Sequence, residues 1–248
     1  MNRAFEGIET LYSEKSYERI SNAHILVVGI GGVGSWVCES LARSGVLNLT
    51  IVDMDEICVS NINRQVHALS NNIGQSKVDA MKERLKLINP SIKINTFFDF
   101  FSKSTSEQIL EFNYDYVVDA FDGVRNKAIL IKECIDKNIP IITIGAAGGK
   151  RDASRVEVKD LNRTVNDNLL AGTRRELKKH HGFWRLHSRP YKVSAVFSPE
   201  DVKMNDQAED KKVKNCQTYY GSTSFVTGTF AFIAVSHILN QISGNDAD

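Results

Sequence analysis

Glycines in a short turn are the first residues of this sequence whose spacing suggests chemistry. The turn reads Gly29-Ile30-Gly31-Gly32-Val33-Gly34. Glycine allows a backbone to turn tightly and to approach a pyrophosphate, which binds the amide groups at the positive N-terminus of the next helix. Asp53 comes 19 residues after Gly34, at the end of a predicted strand, where a carboxylate can accept hydrogen bonds from a ribose. The pattern predicts a nucleotide site; a glycine turn without a ligand is the alternative.

Two cations and further polar residues follow this turn. Asp55, Asn61 and Arg64 lie in the segments DMD and SNINRQ, and Lys77 ends the segment GQSK. The two cations suit a triphosphate, whose charge must be neutralised as pyrophosphate leaves. Asp122 closes the segment DAFD at the carboxyl end of a predicted strand, where open α/β sheets bind ligands, and a carboxylate beside a polyphosphate commonly holds Mg²⁺. The sequence therefore predicts a nucleoside triphosphate with Mg²⁺ rather than the cofactor of a dehydrogenase.

Alternating strands and helices must position these residues. Short apolar runs predict strands over residues 25–30, 47–52, 92–97, 116–120 and 141–144. Helical spacing and end signals predict helices between them over residues 35–44, 75–88 and 124–138. Ser104 and Glu107 predict a capping box for one more short helix. This alternation is typical of parallel βαβ units wound around one sheet.

The pattern changes after Gly149. Alternation at residues 156–158 predicts an edge or antiparallel strand, and further on we predict a charged helix (167–181), a strand (191–197), a charged mobile loop (200–215) and a final apolar helix (222–242). The predicted fold is α/β, a Rossmann-like, doubly wound, mostly parallel sheet with an antiparallel C-terminal extension. We expect an ATP-binding domain over residues 1–150 and an extension over residues 151–248, packed on the same domain.

Composition excludes several classes of protein. A net charge of +1 over 248 residues points globally to neither nucleic acid nor membrane, and the polar N-terminus does not resemble a secretory signal. The longest apolar run, from Phe225 to Leu239, is shorter than the roughly 20 residues of a membrane span, which predicts a core helix and argues against membrane contact. The four cysteines form no CxxC pair, which argues against structural zinc and a disulfide framework and indicates a reducing, cytoplasmic setting.

The motifs GxGGxG, DxD, SNxNRQ, GxxK and DxxD, in this order, resemble the adenylation domain of the ubiquitin-activating-enzyme superfamily, which includes the bacterial ThiF and MoeB proteins. The resemblance covers roughly residues 20–150. It implies that Gly31 and Asp53 contact the nucleotide, and that Asn61, Arg64 and Lys77 hold the phosphates. Asp122 would place the metal and assist adenylation, and the first acid of that motif, Asp119, would be structural.

Superfamily members also pair as dimers, and an arginine from the partner's N-terminal segment often completes the site. The resemblance therefore implies a homodimer, with Arg3 as the nearest candidate for that arginine.

One subfamily, the tRNA threonylcarbamoyladenosine dehydratases, is similar over most of the chain. The segments that carry this resemblance are FEGIETLY, GIGGVGSW, SNINRQVHAL, TIGAAGGK, DLNRTVNDNLL and TSFVTGTFAFIAVSHIL; the spacing after Leu177 departs from it. The resemblance implies that ATP adenylates the threonyl carboxylate of the modified adenosine beside the tRNA anticodon. The substrate's own carbamoyl group would then close the ring and expel AMP, with Asp122, Arg64 and Lys77 as the catalytic groups.

That mechanism needs no enzyme thiol. We interpret Cys38, Cys58 and Cys134 as buried packing residues. Cys216 borders the charged loop, and we leave open whether it is chemically important or not. The sequence leaves equally open whether a sulfur-transfer or desulfurase-type protein takes part.

A basic stretch over residues 174–192 holds seven Lys or Arg against one acid, Glu176. Basic side chains neutralise phosphates, and the interleaved aromatic side chains can stack on splayed bases. The candidate tRNA-binding residues are Arg174, Arg175, Lys178, Lys179 and Arg185. A solvated helix with aromatic residues packed beneath it is the alternative.

Two other functions fit parts of the sequence. An enzyme that adenylates the C-terminus of a ubiquitin-like or sulfur-carrier protein would share the adenylation motifs, but members of that class usually carry a zinc knot of two CxxC pairs, which is missing here. A non-catalytic dinucleotide-binding module would not need Arg64, Lys77 or Asp122.

Overall fold

A seven-stranded sheet organises the molecule. The computed structural model describes residues 3–186, 189–203 and 220–244. The strands are β1 (His24–Val28), β2 (Asn48–Val52), β3 (Lys93–Phe97), β4 (Tyr116–Asp119), β5 (Ile141–Ile144), β6 (Glu157–Asp160) and β7 (Ser194–Phe197). Their order is β3-β2-β1-β4-β5-β7-β6, and only β6 and β7 pair antiparallel. The predicted α/β fold class is confirmed.

The strand sequences explain their places in the sheet. The four residues that end β1 are all buried, as are all four residues of β4 and of β5. Apart from Asp119 and Thr143 these buried residues are hydrophobic, which suits strands that are covered by helices on both faces. Strand β3 lies at one edge and exposes Lys93 and Asn95 on either side of the buried Ile94. Strand β6 lies at the other edge, so the last two strands extend the same sheet.

Eight helices lie within the described residues. They are α1 (Glu6–Tyr12), α2 (Glu14–Asn22), α3 (Gly34–Arg43), α4 (Lys77–Ile88), α5 (Ser106–Ile109), α6 (Val124–Asp136), α7 (Asn168–His180) and α8 (Ser224–Ile242). The predicted capping box is wrong: α5 begins after Thr105 without a side-chain cap, and the Ser104 hydroxyl lies 2.8 Å from Ser102 Oγ instead. The short polar helices α1 and α2 were not predicted.

Helices cover both faces of the sheet. One apolar core joins β1 and β2 to α3, α4 and α8, with Val37, Met81 and Phe230 among its members. The other joins β1, β4 and β7 to α6 and α7, through residues such as Leu130 and Leu170. Of the part of the chain that the structure describes, only α8 is long and apolar enough to cross a membrane. Half of its apolar window is buried, which agrees with the predicted helix packed on the sheet.

The strand order reverses at β1. Its neighbours are β2 on one side and β4 on the other, so the connections that leave the carboxyl ends of β1 and β4 run to opposite faces of the sheet. Open α/β sheets bind ligands in the crevice at such a point. The glycine turn follows β1, and residues 120–123 follow β4, so the predicted site residues meet there.

Candidate nucleotide-binding site

The glycine turn is shaped by its close contact with the turn after β4. Gly29 has a φ of +82°, and a Cβ there would lie 2.6 Å from Phe121 Cβ. A Cβ at Gly34 would lie 1.9 Å from the Gly29 carbonyl oxygen. Both positions therefore require glycine for steric reasons. A Cβ at Gly31 would meet only Gln65 Nε2, at 3.9 Å. The turn is thus open on the Gly31 side, at the start of α3, where a phosphate would bind amide groups.

Asp53 ties the end of β2 to this turn. One oxygen of its carboxylate accepts the Ile30 N–H at 2.8 Å, and the other accepts the Asp55 N–H at 2.9 Å. Burial raises the pKa of Asp53, while Lys77 and the two amides act in the opposite direction. The side chain is therefore held at the carboxyl end of the strand, in the place where a ribose acid is expected.

Lys77 lies between the two acids that the sequence singled out. It is the first residue of α4, after the N-cap Ser76, whose hydroxyl accepts the Asp79 N–H. Its Nζ lies 2.6 Å from Asp55 Oδ2 and 3.6 Å from Asp53 Oδ1. The ammonium group is almost fully buried. The structure thus brings a cation and two carboxylates together beside the glycine turn.

Asn61 and Arg64 lie in one compact loop. The Asn61 side-chain oxygen accepts the Cys58 N–H at 3.0 Å, and its backbone oxygen accepts the Arg64 N–H at 3.0 Å. Burial lowers the pKa of Arg64, and the nearby carboxylate of Asp122 acts in the opposite direction. A Cβ at Gly32 would lie 3.7 Å from Arg64 Cδ. The arginine therefore packs along the glycine turn, with the exposed Asp122 near its guanidinium.

Several residues that support this loop have no clear signal in the sequence. The Trp36 indole N–H donates to the Arg64 carbonyl at 3.0 Å, and the Thr227 hydroxyl lies 3.3 Å from the same oxygen. Thr227 is separated from Arg64 by 163 residues, so only the folded chain shows their contact.

The residues present fit a polyphosphate with a divalent cation. Gln65 Oε1 is buried without a hydrogen-bond partner in the described parts of the chain, and its amide faces the open side of Gly31. Within residues 3–186, 189–203 and 220–244, no three His, Cys, Asp or Glu side chains form a metal-binding group. The exposed Asp122 carboxylate beside Arg64 is a single oxygen ligand of the kind that Mg²⁺ takes together with phosphate oxygens at nucleotide sites.

The basic residues of the stretch over residues 174–192 differ in their exposure and in their hydrogen bonds. Arg175, Lys178 and Lys179 are exposed on α7. Arg174 is half-buried and donates to the Thr164 hydroxyl and to the Leu161 carbonyl. This arginine thus stabilises the extension and is less available to a nucleic acid than its three neighbours.

The aromatic residues of the stretch also include both buried and exposed side chains. Phe183 and Tyr191 are buried, with ring centroids 4.9 Å apart. Trp184 is 58% exposed, and the guanidinium carbon of Arg185 lies 5.2 Å from the centroid of its ring. Residues 187–188 lie outside the described residues.

The structure agrees with the interpretation of Cys38 and Cys134 as buried packing residues but not with that of Cys58. Cys38 and Cys134 are free and buried, and burial raises the pKa of both thiols. Cys58 is only half-buried and takes part in a disulfide bond, so its interpretation as a buried packing residue is wrong. Cys216, most of the predicted loop over residues 200–215, and the side chain of Arg3 lie outside what the structure describes.

His67 should make stability fall in acid. Burial, with Lys77 and Arg84 nearby, lowers the pKa of this imidazole to about 3, whereas an unfolded chain keeps it near 6.5. Below pH 6.5 only the unfolded state binds the proton, so the free energy of unfolding should fall with pH, by up to about 1.4 kcal/mol per pH unit. Urea unfolding at pH 7 and 5.5 should show a smaller drop for His67→Leu than for wild type. The exposed His180→Leu is the control, and equal drops in all three proteins would contradict the prediction.

Fold and site together define a class of protein. A switch-point crevice with a glycine turn, a largely buried acid at the end of β2, two cations and an exposed carboxylate is typical of a Rossmann-like protein that binds a nucleoside polyphosphate. The model of the ThiF family matches residues 5–248. The chain belongs to the ThiF family.

Known proteins of this family are similar over nearly the whole chain. The tRNA threonylcarbamoyladenosine dehydratase of Haemophilus influenzae is 44% identical over 241 residues, which are 96% of this chain and 92% of the relative. The crystal structure of the E. coli tRNA N6-threonylcarbamoyladenosine dehydratase in complex with AMP is 40% identical, with a TM-score of 0.89, and the match covers 97% of this chain and 94% of that one. The complex of the same enzyme with ATP also gives a TM-score of 0.89, over 97% of this chain and 93% of that one.

Proposed function

We propose that this protein is an ATP-dependent tRNA-modifying enzyme that dehydrates N6-threonylcarbamoyladenosine beside the anticodon to its cyclic form. The observation that carries the proposal is the grouping of Arg64, Lys77 and Asp122 around one crevice with the glycine turn. A dinucleotide-binding module has no use for these three groups. The similarity to tRNA threonylcarbamoyladenosine dehydratases over 96% of the chain supports the choice of substrate.

The reaction has two steps. An oxygen of the threonyl carboxylate attacks the α-phosphorus of ATP, and pyrophosphate leaves, so the carboxylate becomes an acyl adenylate. The carbamoyl group of the same nucleoside then attacks the acyl carbon and AMP leaves, so the nucleoside has lost one water overall. The nucleophile of the second step belongs to the substrate, and no enzyme thiol is needed.

Side chains of the site suit the first step. Gly31 and the start of α3 would bind phosphate oxygens through amide groups, and Asp53 would accept hydrogen bonds from the ribose. Lys77 and Arg64 would neutralise charge on the leaving pyrophosphate. Asp122 would hold Mg²⁺, which lowers the repulsion between the carboxylate and the phosphates. Since Lys77 is paired with Asp55 in this structure, we propose that triphosphate oxygens replace that partner.

A direct test is to incubate the protein with ATP, Mg²⁺ and tRNA that carries the modified adenosine. We expect AMP release and, after digestion, a nucleoside that is lighter by one water in mass spectrometry. The same tRNA without the modification is the control and should release no AMP. Release of AMP with a sulfur-carrier or ubiquitin-like protein, and none with the modified tRNA, would instead establish the alternative function.

Further proposals concern the setting of the reaction. We propose that residues 1–150 are the adenylation domain and that residues 151–248 guide the tRNA, and that the enzyme works in the cytoplasm. A sulfur-transfer partner has no part in the reaction as written.

We also propose that the enzyme is a homodimer, with Arg3 near the partner's site. Most apolar residues of α8 are buried. One face of the helix, however, leaves 58% of the surface of Phe225 and 51% of that of Phe232 exposed. A large exposed apolar face commonly marks an interface. The Trp36 ring meets the Phe232 ring edge-on with centroids 6.1 Å apart, so α3 extends this face.

Light scattering at micromolar concentration should therefore give the mass of a dimer. Replacement of both residues, Phe225→Glu and Phe232→Glu, should shift the mass to that of a monomer, because two charges would be buried in the interface. Leu87→Glu is the matched control, since Leu87 is 87% exposed on α4 and should leave the dimer intact. A monomeric wild type would contradict the proposal.

A further inference from the structure

A fully buried ion pair lies beneath the turn that carries Asp122. Asp119 is the last residue of β4, and Lys127 lies one turn into α6. Lys127 Nζ is 2.7 Å from Asp119 Oδ1, and both side chains have no exposed surface. The pair thus brackets residues 120–123, which connect the strand to the helix.

Every proton of the ammonium group has an acceptor. Besides Asp119 Oδ1, Lys127 Nζ donates to the Phe121 carbonyl at 2.9 Å and to the Asp119 carbonyl at 3.3 Å. The other Asp119 oxygen accepts the Thr143 hydroxyl at 2.6 Å. An ammonium group has three protons to donate, and here two of its three acceptors are backbone atoms at the start of the turn. The lysine therefore holds the backbone of the turn as well as its ionic partner.

The same turn lies against the glycine turn. A Cβ at Gly29 would come within 2.6 to 2.8 Å of Phe121 Cβ, Cα and N. The Phe121 ring also lies over the Lys127 ammonium, with 5.1 Å between Nζ and the ring centroid. Residues that hold Phe121 in place therefore also fix the position of the next residue, Asp122. They maintain the contact between Phe121 and the glycine turn as well.

Stability alone does not explain this pair. Two charges that leave water lose their hydration, and replacement of a buried ion pair by apolar residues of similar volume is often neutral or stabilising. Lys127 cannot touch a nucleotide, because it is completely buried. Its visible effect on the site is through the backbone it binds.

We propose that Lys127 is a positioning residue for adenylation: together with Asp119 it clamps residues 120–123 so that Asp122 faces the phosphates. The proposal rests on the proposed function at one point, which is that Asp122 acts in adenylation. The clamp should contribute mainly to the rate of AMP formation and less to the binding of ATP.

The test separates positioning from stability. Lys127→Met alone leaves the Asp119 carboxylate buried without its cation, so the protein should lose stability. In the triple variant Lys127→Met, Asp119→Leu, Thr143→Val the whole polar group becomes apolar at similar volume, and Tm should return close to the wild-type value. If Lys127 positions the turn, kcat for AMP formation in the triple variant should stay at least about thirtyfold below wild type, with ATP affinity within about fivefold in a direct binding titration. Recovery of kcat together with Tm would overturn the proposal, as would a loss of ATP affinity as large as the loss of kcat.

A milder variant covers the case in which the triple variant does not fold. Thr143→Val keeps the ion pair and the volume but removes one hydrogen bond to Asp119. Hydrogen exchange of peptides that cover residues 119–124 should become faster, and kcat should fall at least about threefold. Unchanged exchange and unchanged kcat would overturn the clamp.

Failure of the clamp and failure of the proposed function are distinguishable. If wild type releases no AMP with modified tRNA, the proposed function fails. The ATP titration and the exchange of residues 119–124 do not depend on tRNA, so they would still decide whether Lys127 orders the turn.

Discussion

Asp122→Asn should lower the rate of AMP formation by about a hundred- to a thousandfold while the protein keeps its fold. The side chain is exposed at the carboxyl end of the sheet, beside Arg64, so its replacement removes no buried contact. Asparagine keeps the shape but loses the negative charge that would hold Mg²⁺ against the phosphates. The loss should appear in kcat, measured as AMP release with modified tRNA at saturating ATP. The Tm should change by no more than a few degrees.

A matched control lies at the far end of α6, the helix that follows Asp122. Asp136 ends α6, at the far end from Asp122, and is exposed. Asp136→Asn changes the net charge equally and should leave kcat within about twofold, because the charge is screened by solvent at that distance. Equal kcat in Asp122→Asn and wild type would remove Asp122 from the catalytic groups. Equal losses in both variants would show an effect of net charge rather than of position.

Reversal of the exposed basic residues on α7 should produce the second large effect. The variant Arg175→Glu, Lys178→Glu, Lys179→Glu should bind tRNA far more weakly than wild type. For three lost phosphate contacts, the slope of log affinity against log salt should also become shallower by about 2 to 2.7. Arg174 is left unchanged, because it binds Thr164 and the Leu161 carbonyl and its loss would disturb the fold. Filter binding at three salt concentrations measures both quantities, and ATP affinity should hardly change.

The control variant carries the same change of charge elsewhere. Lys86 lies in the last turn of α4, Lys93 begins β3 and Lys137 follows α6, and all three are exposed. Their reversal to Glu should weaken tRNA binding only through the long-range field, which is screened within about 10 Å at 0.1 M salt. If both triple variants lose tRNA equally, α7 has no special part in the binding. If neither loses it, the exposed basic residues of α7 do not contact the tRNA.

The strands were predictable because their signals are local. The runs over residues 25–30, 116–120 and 141–144 are largely apolar and end in turns, and the structure places each of these three strands within two residues of its prediction. The strand predicted over residues 191–197 begins three residues later, at Ser194. A parallel sheet alone is enough to predict that Asp53, Lys77 and Asp122 lie at the edge where the strands end, next to the switch point. The grouping of the candidate site therefore follows from element order.

The supporting contacts were not predictable from the sequence. A lysine is almost never fully buried without a partner, and nothing near Lys127 marks it as different from its exposed neighbours on α6. Thr227 and Trp36 reach the Arg64 carbonyl from two other helices. Arg174 and Arg175 are adjacent in the sequence and have opposite surroundings in the fold. Each of these depends on tertiary packing, which the local pattern does not contain.

Helix α8 contacts the loop of Arg64 with one face and exposes apolar side chains on the other. Thr227 on its inner face holds the backbone of Arg64, and Phe225 and Phe232 on its outer face are exposed. A partner bound to the outer face would contact the same helix that supports Arg64, the arginine that we propose binds phosphate. Thermodynamic reciprocity then requires that a partner which strengthens ATP binding be itself bound more tightly, by the same factor, when ATP is present. If that partner is the second copy of the chain that we propose, the dimer would then dissociate less at high ATP concentration.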